Sequence, residues 1–346
     1  MGTNGTLSAG QLDPRSDDYG VREGNGHWRP PHPCRYAPVF AWPIRPLRML
    51  RWLFGYPGYL WPINTFFIGL ALLTWFFLQP PLVRCVQLEP GWIALMLLRN
   101  LLMVGIIYEA HHLVLYTLKL HGSVRKYHPQ WQAKNNRRFL FKDQVLDNAF
   151  RTMVSGCLIW TAWEVLFIWG AANRWWPYLD PARHPVWFVA VFLLTPLWRE
   201  THFYCIHKLI HWKPLMNAIH RVHHMNPNPG PWAGLAMHPV EHLLYFSVVA
   251  IHFVVPSHPL HFFFNSQLTA LTPAFGHHGF EGPLFKGKWI TGSYFHYLHH
   301  RFVSCNFGES TVPLDRWFGR FFDGVGAYRT KSSAASVRAK DEDPGR

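Results

Sequence analysis

The chain has 346 residues, is 49% hydrophobic and 17% aromatic, and carries a formal net charge of +14 with 23 histidines and 5 cysteines. Its mean hydropathy of −0.03 averages over strongly apolar and strongly polar stretches, the segregation expected of a chain that crosses a membrane. Cys34, Cys85, Cys157, Cys205 and Cys305 show no close pair and no metal-knuckle spacing, which argues against a disulfide framework. No nucleic-acid motif accompanies the positive charge, so membrane topology and anionic lipid headgroups account for it.

Residues 1–40 are rich in Gly, Pro, Asp and Arg and lack an apolar core, so they read as a disordered tail, not as a cleavable signal or a packed domain. A transmembrane region over 41–198 follows. Gly58 to Leu78 is almost uncharged and, at about 1.5 Å per residue, long enough for a bilayer core of roughly 30 Å. Trp92 to Leu118 reads as a second span although it carries Arg99, Glu109, His111 and His112, and Met153 to Ala172 as a third carrying Glu164. A short fourth run, Val186 to Leu197, continues into the helical segment that bears the first histidines. Polar residues at this depth face the bundle or a cavity. An ion pair such as Arg99 with Glu164 is the plainer reading, a substrate tunnel the functional one.

The fold class expected is an all-α integral membrane protein with about four transmembrane helices and a cytoplasmic helical cap. Lys119, Arg125, Lys126, Lys134, Arg137, Arg138 and Lys142 sit in a basic connection at 119–147, and Arg45, Arg48 and Arg51 precede the first span. By the positive-inside rule both segments are cytoplasmic, which puts both termini and the histidine-rich region on that side. The stretch 243–264, with Pro256 and Pro259 inside it, reads as a membrane-dipping hairpin, and 329–346 as a second disordered tail.

Histidines cluster within 199–324. His207 and His211, then His220, His223 and His224, then His296, His299 and His300 are spaced so that each set faces one way on a helix. Eight imidazoles exceed the needs of one metal and point to two held side by side. A turn around Trp212 to Pro214 suits a hairpin that brings the first two sets together. No cysteine falls in any cluster, which favours an imidazole site for iron over a thiolate site, although spacing alone is silent on metal identity.

The ordered set H207-K-L-I-H211, H220-R-V-H-H224 and H296-Y-L-H-H300, with N306-F-G308 and D315-R-W-F-G319, resembles the fatty acid hydroxylase and sterol desaturase superfamily over roughly Arg199 to Gly324. The resemblance implies two ferrous ions on a cytoplasmic cap, acting with dioxygen to hydroxylate or desaturate a lipid. H238-P-V-E241-H242 and G276-H-H-G279 resemble further elements of the sterol-modifying branch, which adds His242 and His277 to the ligand set. Glu241, Asn306, His278 and His238 are then expected in outer positions, Glu241 as acceptor from a ligating imidazole. The substrate class stays open among sterols, sphingoid bases and fatty acyl chains. Each turnover needs two electrons, and the chain has no dinucleotide fingerprint or fused haem domain, so an external carrier or reductase is implied. The basic connection suits an acidic carrier as well as anionic lipid. A histidine-rich metal transporter or a zinc hydrolase are the alternatives, but a transporter would line its spans with ligands, whereas these clusters lie mostly outside them.

Overall fold

A computed structural model describes residues 20–282, 292–326 and 328; the expected C-terminal tail lies outside them, as do residues 1–19. After a short amphipathic helix α1 (Pro46–Phe54), three helices among the described residues are long and apolar enough to cross a membrane. They are α2 (Leu60–Leu78), α3 (Pro90–Thr117) and α4 (Gln144–Ala172). Pro90 starts α3 at a position where no intrahelical donor is needed. The Asp143 carboxylate caps α4, accepting from Val145 N at 2.8 Å and Leu146 N at 3.1 Å. That cap begins α4 well ahead of the predicted Met153. Leu95, Leu98, Leu102 and Ile106 of α3 are exposed, an apolar face suited to lipid.

The short fourth run and the first histidine segment form one continuous helix, α5 (Pro185–Ile210), of 26 residues with Pro196 inside it. At about 1.5 Å per residue it is long enough to span. Its second half carries Arg199, Glu200, His207 and Lys208, and it is not among the three helices that are both long and apolar enough to cross.

The hairpin expected over 243–264 is longer. Its arms are α6 (Pro239–Phe253) and α7 (Pro259–Leu271), and every residue of α7 is buried. α7 packs against α2, α3, α4 and α5, which makes it the centre of the bundle. Ser266 on α7 reaches the Glu164 carboxylate at 2.9 Å, which also accepts from Asn100 at 2.9 Å and pairs with Arg99. Arg99, Asn100 and Glu164 are thus joined in an ion-pair network, the arrangement that makes burial of charge tolerable.

Residues 20–40 depart from the expected tail. A hairpin of β1 (Val21–Arg22) and β2 (Trp28–Arg29) lays Trp28 against Tyr127, Tyr294 and Tyr297. Glu23 pairs with Arg301 at 2.8 Å on α8 (Tyr294–Phe302), and Cys34 N donates to Asp323 O at 2.8 Å. The segment has no core of its own and completes that of the histidine-bearing region, a contribution that local composition does not report.

Candidate metal centre

The three histidine clusters converge from α5, from the helical turns over 213–224, and from α8. Nine imidazoles fall into two groups, the ligand atoms of each lying within 4.8 Å of one another: His207, His211, His220, His224 and His299 in one, His223, His277, His296 and His300 in the other. Helix geometry explains the division. Residues four apart share a face and a group, as His207 with His211, His220 with His224 and His296 with His300 do. The middle histidine of each His-x-x-His-His, turned about 100° from its neighbour, serves the opposite group: His223 crosses to the second and His299 to the first.

In the first group His207 Nε2 lies 3.1 Å from His220 Nε2, His220 and His299 each lie 3.1 Å from His211, and His224 lies 3.2 Å from it. In the second, His277 Nε2 lies 2.9 Å from His296, 3.1 Å from His300 and 3.3 Å from His223. The opposite ring nitrogens show what these contacts are. His207 Nδ1 meets Phe307 O at 2.5 Å, His299 Nδ1 meets Cys305 O at 2.7 Å, and His277 Nδ1 meets Pro273 O at 3.0 Å. A carbonyl only accepts, so each Nδ1 carries the hydrogen and each Nε2 presents a lone pair. His220 Nδ1 likewise donates to Glu241 Oε1 at 2.7 Å. Neutral imidazoles facing one another lone pair to lone pair repel unless a cation lies between them. With metal–nitrogen bonds of about 2.0–2.1 Å, adjacent ligands at right angles stand about 3 Å apart, the spacing seen here.

Burial, followed by the neighbouring imidazoles, holds His220, His224, His299 and His300 well below the usual histidine range. Burial also brings His277 down to about 4. The rings are therefore neutral near pH 7, the state that binds metal without displacing a proton.

The N306-F-G308 and D315 motifs hold the carbonyls that hold the histidines. Asp315 accepts from Phe307 N at 2.9 Å and Gly308 N at 2.8 Å, fixing the peptide whose carbonyl receives His207. Burial pushes the Asp315 carboxyl up to about 6, opposed by those two donors. Asn306 sits at φ +52°, a left-handed conformation that Asn tolerates. It is tied at 2.9 Å to both N and O of Phe322, steadying the turn that aims Cys305 O at His299.

His242 is not brought into either group. Its Nε2 meets Leu235 O at 2.9 Å and its Nδ1 meets Ser155 Oγ at 3.1 Å, so both nitrogens are committed to the fold. His278 Nδ1 accepts from Phe280 N at 3.1 Å, and His238 Nδ1 caps α6 by accepting from Val240 N at 3.2 Å. A cavity of about 650 Å³ opens onto His207, His223, His277 and His296 and extends past Phe203 to the exposed Tyr56 beside α1. Arg199 and Glu309 also line it, and neither was singled out by motif or spacing.

Residues 192–320 match the family model described as fatty acid hydroxylase. The chain is similar to the lathosterol oxidase of Mus musculus, 32% identical over 36% of this chain and 44% of that protein. It is also similar to the Delta(7)-sterol-C5(6)-desaturase of Nicotiana tabacum, 33% identical over 36% of this chain and 47% of the relative. The Delta(7)-sterol 5(6)-desaturase ERG3B of Gibberella zeae is 27% identical over 38% of this chain and 42% of its own length. The match thus spans less than half the length of these relatives. No solved structure matches the chain.

Proposed function

We propose that the chain, whose residues 192–320 match the fatty acid hydroxylase family model and resemble sterol desaturases, is a membrane-bound non-haem di-iron oxidoreductase that hydroxylates or desaturates a lipid. The observation that carries this reading is the pair of imidazole groups, in which His207, His220, His299 and His277 commit their Nδ1 atoms outward and turn Nε2 toward the other rings of the group. An all-nitrogen donor set of neutral imidazoles fits iron that changes oxidation state. His207, His211, His220, His224 and His299 would hold one ion, and His223, His277, His296 and His300 the other. Two ferrous ions would supply activation of dioxygen and removal of hydrogen from an unactivated carbon.

The chain's own residues bind, orient and exclude water. The cavity receives the lipid, Phe203 and Leu268 give it apolar wall, and the carbonyls of Phe307 and Cys305 hold His207 and His299 in the tautomer that presents Nε2 inward. Hydroxylation consumes one dioxygen, two electrons and two protons and releases one water. Desaturation takes two hydrogens from the lipid with the same input and releases two waters. The electrons come from an external carrier. Of the basic connection, Lys119, Lys134, Arg137, Arg138 and Lys142 are exposed and form the docking face, while Arg125 and Lys126 are buried and take no part. In this reading α5 is the fourth span, the hairpin α6–α7 dips into the bilayer among the other spans, and the metal centre and both termini face the cytoplasm.

Metal analysis of the purified protein, joined to lipid mass spectrometry of expressing cells, tests the reading. Wild type should hold about two irons per chain and yield a lipid gaining one oxygen or losing two hydrogens, with the product lost in His299→Ala. Stoichiometric zinc without oxidised lipid would replace the oxidase with a hydrolase or a structural metal site.

A further inference from the structure

α1 keeps one face against the protein and turns the other outward. Its inner side chains, Met49, Trp52 and Leu53, are half-buried, and the Trp52 ring meets that of Tyr59 with centroids 4.7 Å apart. Tyr59 N donates to Trp52 O at 2.6 Å, and the Tyr59 hydroxyl donates to Leu193 O of α5 at 2.6 Å, so the helix is pinned to the bundle. Its outer side chains, Leu47, Leu50 and Phe54, are between 54% and 65% exposed. Residues three and four apart share a helix face, so these three form one apolar stripe, and Arg48 and Arg51 lie along its edge.

The apolar surface continues beyond the helix. Trp42, 87% exposed, and Ile44 precede α1, and Tyr56 follows it. The turn Pro38–Phe40 packs on α1, and Phe40 meets Trp317 edge to face with centroids 5.9 Å apart. That contact joins the stripe to the exposed Trp317 and Phe318 at the end of the turn Leu314–Trp317. Two segments distant in sequence thus build one ledge, unlike the scattered single apolar residues of an ordinary protein surface.

Charge and position identify what covers it. Arg45, Arg48, Arg51 and Arg316 are exposed, and no acidic residue occurs between Glu23 and Glu89. A second copy of this chain seated here through a two-fold contact would set these arginines against one another. Leu60 begins α2 six residues after Phe54 ends α1, so the ledge stands where the first span enters the bilayer. We propose that α1 and the Trp317 turn form a docking ledge for an anionic phospholipid surface, its apolar side chains in the acyl boundary and its arginines among the headgroups. The assignment uses neither the metal centre nor the oxidation of a lipid. Trp52, Tyr56 and Pro57 also line the cavity that reaches His207 and His296, so the ledge sets the mouth of that cavity at the headgroup layer.

Fluorescence quenching on the full-length protein in phosphatidylcholine vesicles tests this. A bimane is attached at Leu50→Cys, or at Gly24→Cys as the control, both in a Cys205→Ser background that removes the exposed native thiol. Gly24 is exposed between β1 and β2, where an added side chain meets open space. The quenchers are phospholipids with a nitroxide high on the acyl chain and either a serine or a choline headgroup. They should quench the Leu50 label at least about three-fold more than the Gly24 label, and the serine form about two-fold more than the choline form at equal mole fraction. That headgroup ratio should fall to about one when Arg45→Gln, Arg48→Gln and Arg51→Gln are combined, with the melting temperature unchanged, and should shrink at high salt. Equal quenching at the two positions, equal quenching by the two headgroups in wild type, or a ratio that survives the triple substitution would overturn the ledge. So would energy transfer between labelled copies that persists on dilution into excess lipid, because it assigns the face to a second copy. Iron content and lipid product are read separately on the same preparation, and the oxidase stands or falls on those alone.

Discussion

The two imidazole groups differ in how firmly the surrounding protein holds them. In the first, His207, His220 and His299 each give their Nδ1 hydrogen to a fixed acceptor: Phe307 O, Glu241 and Cys305 O. In the second, His277 has Pro273 O, while the buried His300 Nδ1 has no partner. Outer contacts of this kind fix tautomer and ring orientation and raise ligand basicity. The first group therefore has three of its five rings held from outside, His224 Nδ1 having no partner, and the second has His277 so held by a carbonyl. The second, with four, is softer, and His223, His277 and His296 face the cavity, as His207 and His220 of the first group also do. In the proposed reading, the first group would chiefly retain metal and the second would chiefly leave room for oxygen and substrate.

The largest test of that contrast removes one ring from each. His299→Ala should abolish product and empty the first position, leaving about one iron per chain. His300→Ala should likewise stop turnover but empty the second position at lower chelator concentration than wild type requires. Iron quantified during a chelator titration separates the two. If both variants lose both metals together, the groups form one cooperative unit and the contrast fails. Next in size is Glu241→Gln, which keeps the shape but leaves His220 an acceptor that is less effective in the required tautomer. Loss of an outer contact of this sort typically costs 10–100-fold in metal affinity, and the loss should fall on the first position alone.

The sequence made the cage visible and left its supports obscure. His-x-x-His-His is legible because helical periodicity converts spacing into a face, and that logic carries over to all three clusters. It does not say that the middle ring turns to the other metal group, since that depends on where the partner helices stand. His242 follows Glu241 in a stretch that looks like a further box, yet its two nitrogens reach Leu235 and Ser155, contacts set by the packing of α6 on α4. Arg199 and Glu309 lie 110 residues apart, and no local pattern links them. Residues 20–40 are illegible for the same reason: Trp28 is buried against Tyr127, Tyr294 and Tyr297, residues supplied by distant segments.

Asp315 tests the support of the first cage by pH. Its carboxyl lies at about 6, above the ordinary 3.8, because burial disfavours the charge. For an acid raised in the folded state, the stabilising contribution is complete below about 3.8 and is lost as pH rises through about 6. Asp315→Asn removes that titration. Melting temperatures measured between pH 4 and 7 should therefore show the wild-type advantage over the variant shrinking as pH rises. At pH 7 the variant turns an amide donor toward Phe307 N or Gly308 N, where two acceptors are needed. Iron affinity at the first position should then fall about ten-fold, at the low end of outer-contact effects. A variant whose melting curve tracks wild type across this range would show that Asp315 stays charged in the fold.

The smallest expected effect on metal is the most discriminating for the boundary of the two groups. His242 is fully buried, and its ring nitrogens are engaged by a backbone carbonyl and a serine hydroxyl. His242→Gln removes at least one of those bonds and trims the packing of α6 against α4, a loss of about 1–3 kcal/mol by the cost of a buried unsatisfied group. The imidazoles of both groups keep all their own contacts, so iron stoichiometry and chelator sensitivity should match wild type while the melting temperature drops. A ligand role predicts the reverse, with iron lost before stability. Measuring both quantities on one preparation distinguishes a histidine that builds the fold from one that holds the metal, a distinction that the spacing of H238-P-V-E241-H242 does not contain.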